Sequence, residues 1–403
     1  MNFNNKEPSI MHIDFNSCFA SIEQQANPFL RGKPVVVGAY TTNFGCVLAA
    51  SREAKILGIK TGMRVMDARA IYPKVVVLES DPNKYREVHK QLKNLLQTYS
   101  DKVYPKSIDE FVVNCYTNPH ELAPRIKERI KEEIGEFLTV SIGISTNRYL
   151  AKVASNLKKP DGLEEINKDN FLEVFSKLRL TDLTGIKEGN ARRLNVYNIF
   201  SVVDFYHADS RKLEGAFGGI GGYYWFLRLH GYEVDEFEVV RKSFGNSYAL
   251  PKPFYKCSDL VPIIQKLVDK TAYRLRTAGY FARGVHLGVV YRDHTYWHKG
   301  RILSRAIFAT DDIFKEIYKL LEMAGENGPV REIAVTCFNL EPASYLQLDL
   351  LIDALGKESL TKAIDTINDR YGMFTLTSAA QIFARDNVPD RIAFGGVREI
   401  KES

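Results

Sequence analysis

The stretch KSIDEFVVNC, Lys106 to Cys115, sets Asp109 and Glu110 side by side and follows them at once with Phe111, Val112 and Val113. Unpaired charge in a core strand is costly. Neighbouring strand residues point to opposite faces, so an Asp-Glu pair at a strand end or tight turn can hold one carboxylate inward and one sideways. A cation between them removes the cost. For a lone Asp-Glu pair a solvated hairpin turn is the better explanation, because Asp favours turns, and the rest of the chain has to overturn it.

Working outward, IMHIDF (Ile10 to Phe15) reads as a short strand, and the segment after Asn16 reads as a helix with Phe19 and Ile22 on one face. GKPVVVGAY is a buried strand bounded by Gly32 and Pro34, and residues 51–73 form two short helices split at Gly58 and Gly62. After the cap Asp81 and Pro82, the residues Tyr85, Val88, Leu92, Leu95, Leu96 and Tyr99 recur at helical spacing. A helix through LAPRIKERIKEEIGEF and a strand with Val140, Ile142 and Ile144 alternating follow the acidic hairpin. Together these predict an α+β fold in which helices cover an antiparallel sheet.

From about Phe171 the pattern is helical, with LTGIKEGNARRL (Leu183 to Leu194) and a glycine-rich run up to Gly231. Glycine turns of this kind can offer backbone N–H groups at helix N-termini to phosphates, or serve only as tight-turn punctuation. Glu233 to Lys242 is a charged, glycine-free connector, after which strands and helices mix in a more basic module.

At 403 residues the chain is long enough for two to four domains, and 45% apolar with 26% charged residues is ordinary globular composition. It contains no apolar run of membrane length, and its start, MNFNNKEPS, lacks the apolar core of a signal peptide. The expectation is a soluble, cytoplasmic protein without a membrane partner. Five scattered cysteines with no C-x-x-C pair argue against a disulfide framework and a structural zinc site. Net charge is +6, yet residues 241–340 alone carry 16 Lys or Arg against 9 Asp or Glu. A basic module on a balanced body points to a polyanionic partner.

Asp14 ends one strand and Asp109 and Glu110 sit on another. If the two strands are neighbours, three carboxylates converge at one edge of the sheet. Oxygen-only ligands select hard cations, and Mg²⁺ held by few carboxylates keeps positions open for phosphate oxygens. Two such ions can hold an attacking hydroxyl and a leaving pyrophosphate in line, the geometry of nucleotidyl transfer. SIGISTNRYLAKVASNLKKPDG then runs strand, polar turn, helix, and places Lys152 where an ammonium can reach a triphosphate; taken alone it reads better as a solvated helix lysine, and only order and combination favour the first reading.

HIDFNSCFASIEQ, GKPVVVG, REAKILGIKTGM, SIDEF, SIGISTNRYLAKVASNLKKPDG and LTGIKEGNARRL occur here in the order found in Y-family (translesion) DNA polymerases, which the chain resembles from about Ile10 to Leu340. The resemblance implies a right-hand polymerase: palm at 1–18 and 79–173, small fingers at 19–78, a helix-hairpin-helix thumb at 174–234, a linker at 235–242, an α/β little finger at 243–341, and a C-terminal tail at 342–403. It implies Asp14, Asp109 and Glu110 as ligands of two Mg²⁺ ions (Mn²⁺ substituting), helped by the Phe15 carbonyl. Phe19 falls at the position of the steric gate that excludes a ribose 2′-hydroxyl. Ser17, Cys18, Arg52, Lys55 and Lys152 fall at nucleotide-binding positions, with Lys152 matching the triphosphate lysine. Gly185, Lys187 and Gly189 in the thumb, and Lys242 and Ser243 in RKSFGNS at the entry to the little finger, fall at DNA-contacting positions. The implied partners are primer-template DNA and a dNTP, bound by a monomer.

The chain departs from that pattern where many members carry Thr-x-x-Tyr-x-x-Arg, having Ala49, Arg52 and Lys55 instead. TTNFGCVLAASREAK is more similar to the polymerase V catalytic subunit than to polymerase IV, so features of two subfamilies mix. Phe111 replaces a small residue after the acidic pair, and Arg64 stands where Pro often follows Gly-Met; both bear on packing more than on metal ligation. In the tail, QLDLL (Gln347, Leu348, Asp349, Leu350, Leu351) resembles the bacterial sliding-clamp-binding pentapeptide, against the alternative of an amphipathic helix start. Small side chains expected at the pocket (Ser17, Cys18, Val47, Ala49, Ala50) fit low discrimination and lesion bypass. A catalytically silent DNA-binding accessory protein would lack the three acids, and a diguanylate-type cyclase would carry two glycines where Ser107 and Ile108 stand.

Overall fold

The computed structural model of the protein describes residues 1–235, 241–325, 328–343, 354–384 and 387–388. They form two compact units, one ending at 235 and one beginning at 241.

The first unit runs β1 (Ile10–Phe15), α1 (Cys18–Ala26), β2 (Val35–Gly38), β3 (Val47–Ala50), α2 (Arg52–Ile56), α3 (Val65–Ile71), β4 (Val76–Glu79), α4 (Pro82–Gln97), β5 (Val103–Pro105), β6 (Glu110–Asn114), α5 (Pro119–Arg129), β7 (Val140–Ser145), α6 (Arg148–Leu157) and β8 (Leu163–Ile166). Five of the strands make one sheet in the order β5-β6-β1-β7-β8, antiparallel except for the β7–β8 pair. The acidic pair sits at the β5–β6 hairpin, and β1 is the central strand. Alternation assigns the two faces: Met11, Ile13, Phe15, Phe111, Val113, Val140, Ile142 and Ile144 join the main core, whereas Ile10 and Val112 meet Ala151 of α6 on the other side. The expected cap of α4 is present, the Asp81 carboxylate accepting the Lys84 N–H at 3.3 Å. β3, β2 and β4 make a separate small sheet.

Short helices α7 (Phe171–Lys177), α8 (Glu188–Val196), α9 (Val202–His207), α10 (Ser210–Phe217) and α11 (Ile220–Leu229) then pack around Phe175, Phe205, Leu213 and Trp225. The turn into α8 places Gly185 at φ 89°, a left-handed conformation that glycine adopts without steric cost.

The second unit comprises β9 (Ser243–Phe254), α12 (Cys257–Thr277), β10 (Tyr280–Tyr291), β11 (Tyr296–Ile307), α13 (Thr310–Ala324), β12 (Val330–Pro342) and α14 (Ala354–Tyr371). Its antiparallel sheet has the order β11-β10-β12-β9, and α12 and α13 bury Leu260, Ile264, Leu267, Ile313 and Ile317. Register sets Gly245, Thr336, His286 and Gly300 in one row and Ser247, Ala334, Gly288 and His298 in the next. The tail contributes structure here: Asp365 of α14 pairs with Arg276 of α12 at 2.7 Å, and Lys357 pairs with Asp312 of α13 at 2.8 Å. Among the described residues no helix is long and apolar enough to cross a membrane.

Candidate active site

The period of two along β1 puts His12 and Asp14 on the face turned toward α6, leaving Ile13 and Phe15 for the core. Asp14 lies opposite Glu110 of β6 in the antiparallel register, and opposite Ser141 of β7 on its other side. Helix α6 lies directly on the sheet because residue 143 has no side chain. A Cβ there would stand 2.1 Å from the Ala151 carbonyl oxygen and 2.2 Å from the Ser155 nitrogen. That close approach delivers Lys152 to the acids: its Nζ is 2.5 Å from Asp14 Oδ2 and 2.8 Å from Glu110 Oε1. Lys159 Nζ reaches the same Asp14 oxygen at 2.8 Å.

Asp109 belongs to the turn ahead of β6. Ile108, 1% exposed, anchors that turn in the core, and its carbonyl lies 2.9 Å from His89 Nδ1. The Asp109 backbone oxygen accepts the Phe15 N–H at 3.0 Å, and its side chain accepts the Ser107 hydroxyl at 2.5 Å. Burial pushes the Asp109 carboxyl up, the Ser107 bond opposes this, and the charges of Asp14 and Glu110 add to the rise. Burial acts the same way on Glu110, yet its contacts with His12 and Lys152 outweigh it and hold that carboxyl down at about 2. Burial opposes the charge on Lys152, but the two carboxylates win and raise its pKa.

A cleft of ≈ 680 Å³ opens over these groups. Asp14, Asp109, Glu110, Ser17, Cys18, Phe19, Arg52, Lys55, Lys152 and Lys159 all line it, so the structure gathers the three acids, the Phe19 ring and four cations around one space. Lys55 Nζ donates to the Ser17 hydroxyl at 2.8 Å, and burial followed by the charge of Lys159 lowers its pKa. Phe19 is stacked on Tyr85 of α4 with centroids 4.3 Å apart, and the Tyr85 hydroxyl donates to Glu23 at 2.8 Å. Burial keeps the Cys18 thiol protonated, raising its pKa well above the usual thiol range. Phe111 is fully buried and stacked on His89, a packing role away from the cleft.

The donor set fits a hard divalent cation. Three carboxylates face one cleft, and a side-chain ammonium already bridges two of them where positive charge is needed. His12, Asp14 and Glu110 offer ligand atoms all within 4.8 Å of one another.

Two residues at this site were missed in the sequence. His12 has a signal, standing two positions before Asp14 on the same strand face; Lys159 has none in periodicity. Gly185, Lys187 and Gly189 are not among the residues lining the cleft; Gly185 and Lys187 lie at the turn into α8 and Gly189 in its first turn. Lys242 and Ser243 belong to the second unit, where Ser243 opens β9. Gln347 to Leu351 lie outside the described residues.

Residues 13–156 match the model of the impB/mucB/samB family, and residues 241–350 match that of its C-terminal domain. The chain is 30% identical over 385 residues to a DNA polymerase IV of Pelotomaculum thermopropionicum, covering 93% of this chain and 95% of the relative. It is 31% identical over 377 residues to DNA polymerase IV 1 of Halalkalibacterium halodurans, covering 90% and 91%. Among solved structures, a Y-family DNA polymerase chimera of Dbh and Dpo4 aligns with a TM-score of 0.73 at 27% identity, over 82% of this chain and 98% of the chimera. An insertion ternary complex of Dbh DNA polymerase aligns with a TM-score of 0.55 at 27% identity over the same shares.

Proposed function

The chain belongs to the impB/mucB/samB family of bacterial Y-family translesion DNA polymerases, and we propose that it joins a dNTP to a primer 3′-hydroxyl with two Mg²⁺ ions held by Asp14, Asp109, Glu110 and the Phe15 carbonyl, Mn²⁺ substituting. The observation that carries this reading is the convergence of Asp14 and Glu110 on a single cation, with Asp109 in the same cleft. Divalent ions supply Lewis-acid activation of the hydroxyl and charge neutralisation on the phosphates. The chain's own residues do the positioning. Arg52, Lys55, Lys152 and Lys159 border the cleft with cationic groups suited to a triphosphate. Phe19, braced by Tyr85, closes the space beside C2′ of the sugar. Asp109, with its raised pKa, costs energy while ionised among like charges, which favours cation binding.

In this reading the sheet around β1 with α6 is the palm, the small β3-β2-β4 sheet with α2 and α3 the fingers, α7 to α11 the thumb, and β9 to β12 with α12 and α13 the little finger. DNA is gripped through phosphates by Gly185, Lys187, Gly189, Lys242 and Ser243, a sequence-independent mode suited to damaged templates. The enzyme acts as a cytoplasmic monomer that docks on the bacterial sliding clamp through Gln347 to Leu351. The segment at 41–55 adds polymerase V-like features to the fingers.

Extension of one primer on undamaged, abasic and alkylated templates tests the reading; full-length product across a lesion is expected, and no extension on any template overturns it. Replacing Gln347, Leu350 and Leu351 with Ala is expected to abolish stimulation by a bacterial clamp, and equal stimulation would leave QLDLL as a helix start.

A further inference from the structure

His12 is 3% exposed and lies beneath α6, flanked by Val112 and Gly143 on the neighbouring strands. Its Nε2 is 3.3 Å from Glu110 Oε2, within reach but out of line, and neither ring nitrogen makes a hydrogen bond. Buried polar atoms left in this way are destabilising, and a native fold keeps them for a reason. The other oxygen of the same carboxylate, Glu110 Oε1, is held by Lys152 Nζ at 2.8 Å.

We propose that His12 is a positioning residue for Glu110, its Nε2–H closing onto Oε2 when a divalent cation replaces the Lys152 ammonium at Oε1. This rests on the reading of Asp14 and Glu110 as cation ligands. The ring and the cation then hold opposite oxygens of one carboxylate, fixing its rotation. A lysine at the same place would compete with the cation, and an aliphatic residue would leave Glu110 free to turn. Hydrogen-bond partners of metal-bound carboxylates and imidazoles elsewhere tune metal affinity in the same way.

The test uses the full chain and Mn²⁺ alone, with free Mn²⁺ read by electron paramagnetic resonance in the absence of DNA and nucleotide. His12→Leu keeps bulk without a donor, His12→Asn places an amide too short to reach Oε2, and His12→Gln places its amide nitrogen near the position of Nε2. The first two are expected to weaken Mn²⁺ binding about tenfold, with His12→Gln recovering most of it. In single-nucleotide extension, kcat should fall about tenfold for His12→Leu while KM for dNTP moves little. Melting temperatures identify any variant that fails to fold, and the Gln against Asn comparison remains decisive between two folded proteins of similar polarity. Wild-type Mn²⁺ affinity in His12→Leu, or equal loss in the Gln and Asn variants, overturns the proposal. Asp14→Asn binding Mn²⁺ as tightly as wild type would instead overturn the cation reading and this inference with it.

Discussion

Asp14 and Glu110 stand opposite each other on the antiparallel neighbours β1 and β6, and the ammonium of Lys152 touches both, at 2.5 and 2.8 Å. Two carboxylates on one face of a central strand pair repel unless positive charge lies between them. The chain supplies that charge itself from α6, and a divalent cation binding there must compete with it.

Lys152→Ala should therefore destabilise the metal-free first unit. Breaking a buried pair typically costs about 3–5 kcal/mol; with the Glu110 side chain 26% exposed, roughly 2–3 kcal/mol is expected here. Mg²⁺ at about a hundredfold its Kd should return about 2.7 kcal/mol by linkage. Thermal melts with and without Mg²⁺ check this, the shift being larger in the variant because no ammonium competes. An equal shift in both proteins would place the ion elsewhere.

Asp109 behaves oppositely from Glu110 with pH. The Glu110 pKa is depressed from 4.5 to about 2, so its stabilising contribution is complete above pH 4.5 and is lost as pH falls toward 2. The Asp109 pKa is raised above 3.8, so its contribution favours folding below pH 3.8 and is lost as pH rises through the folded value. At pH 7 and without metal, Asp109→Asn should raise the melting midpoint by about 2 °C or more while abolishing catalysis. A lowered midpoint would contradict the strain assigned to this carboxylate.

Sugar selection should depend on the Phe19–Tyr85 stack, 4.3 Å between centroids and 10° between planes. Phe19→Ala is expected to raise ribonucleotide incorporation relative to deoxyribonucleotide by about tenfold or more. Tyr85→Leu should have a smaller effect of the same sign, because it loosens the ring without removing it. Ratios of kcat/KM for dNTP and rNTP measure both, and an unchanged ratio in Phe19→Ala would move the gate to another residue.

The sheet and its hairpin were legible in the sequence because alternation in Ile10–Phe15 and Val140–Ser145 and the acidic turn at Asp109 are local signals. The convergence of Asp14 with Glu110 was a conditional statement about neighbouring strands, and the resemblance of six ordered motifs gave it a family pattern. Lys152 was placed in the site by its motif, but its bridge between two carboxylates was not foreseen; that geometry depends on how closely α6 approaches Gly143, which no helical or strand period encodes. Lys159 reaches Asp14 from the turn after α6, a long-range contact invisible to spacing. His12 was hidden for another reason: a lone histidine in an apolar strand reads as core. The docking of α14 through Arg276–Asp365 and Lys357–Asp312 likewise rests on ion pairs between distant segments.

Single-turnover incorporation of one correct dNTP on a primer-template, with Mg²⁺, compared among wild type, Asp14→Asn, Asp109→Asn and Glu110→Gln, bears most directly on the three acids as cation ligands. Each variant should fold, bind DNA and lose at least about a thousandfold in rate, in line with removal of a preorganised electrostatic group. Incorporation by any of the three at the wild-type rate would contradict its place in the catalytic centre.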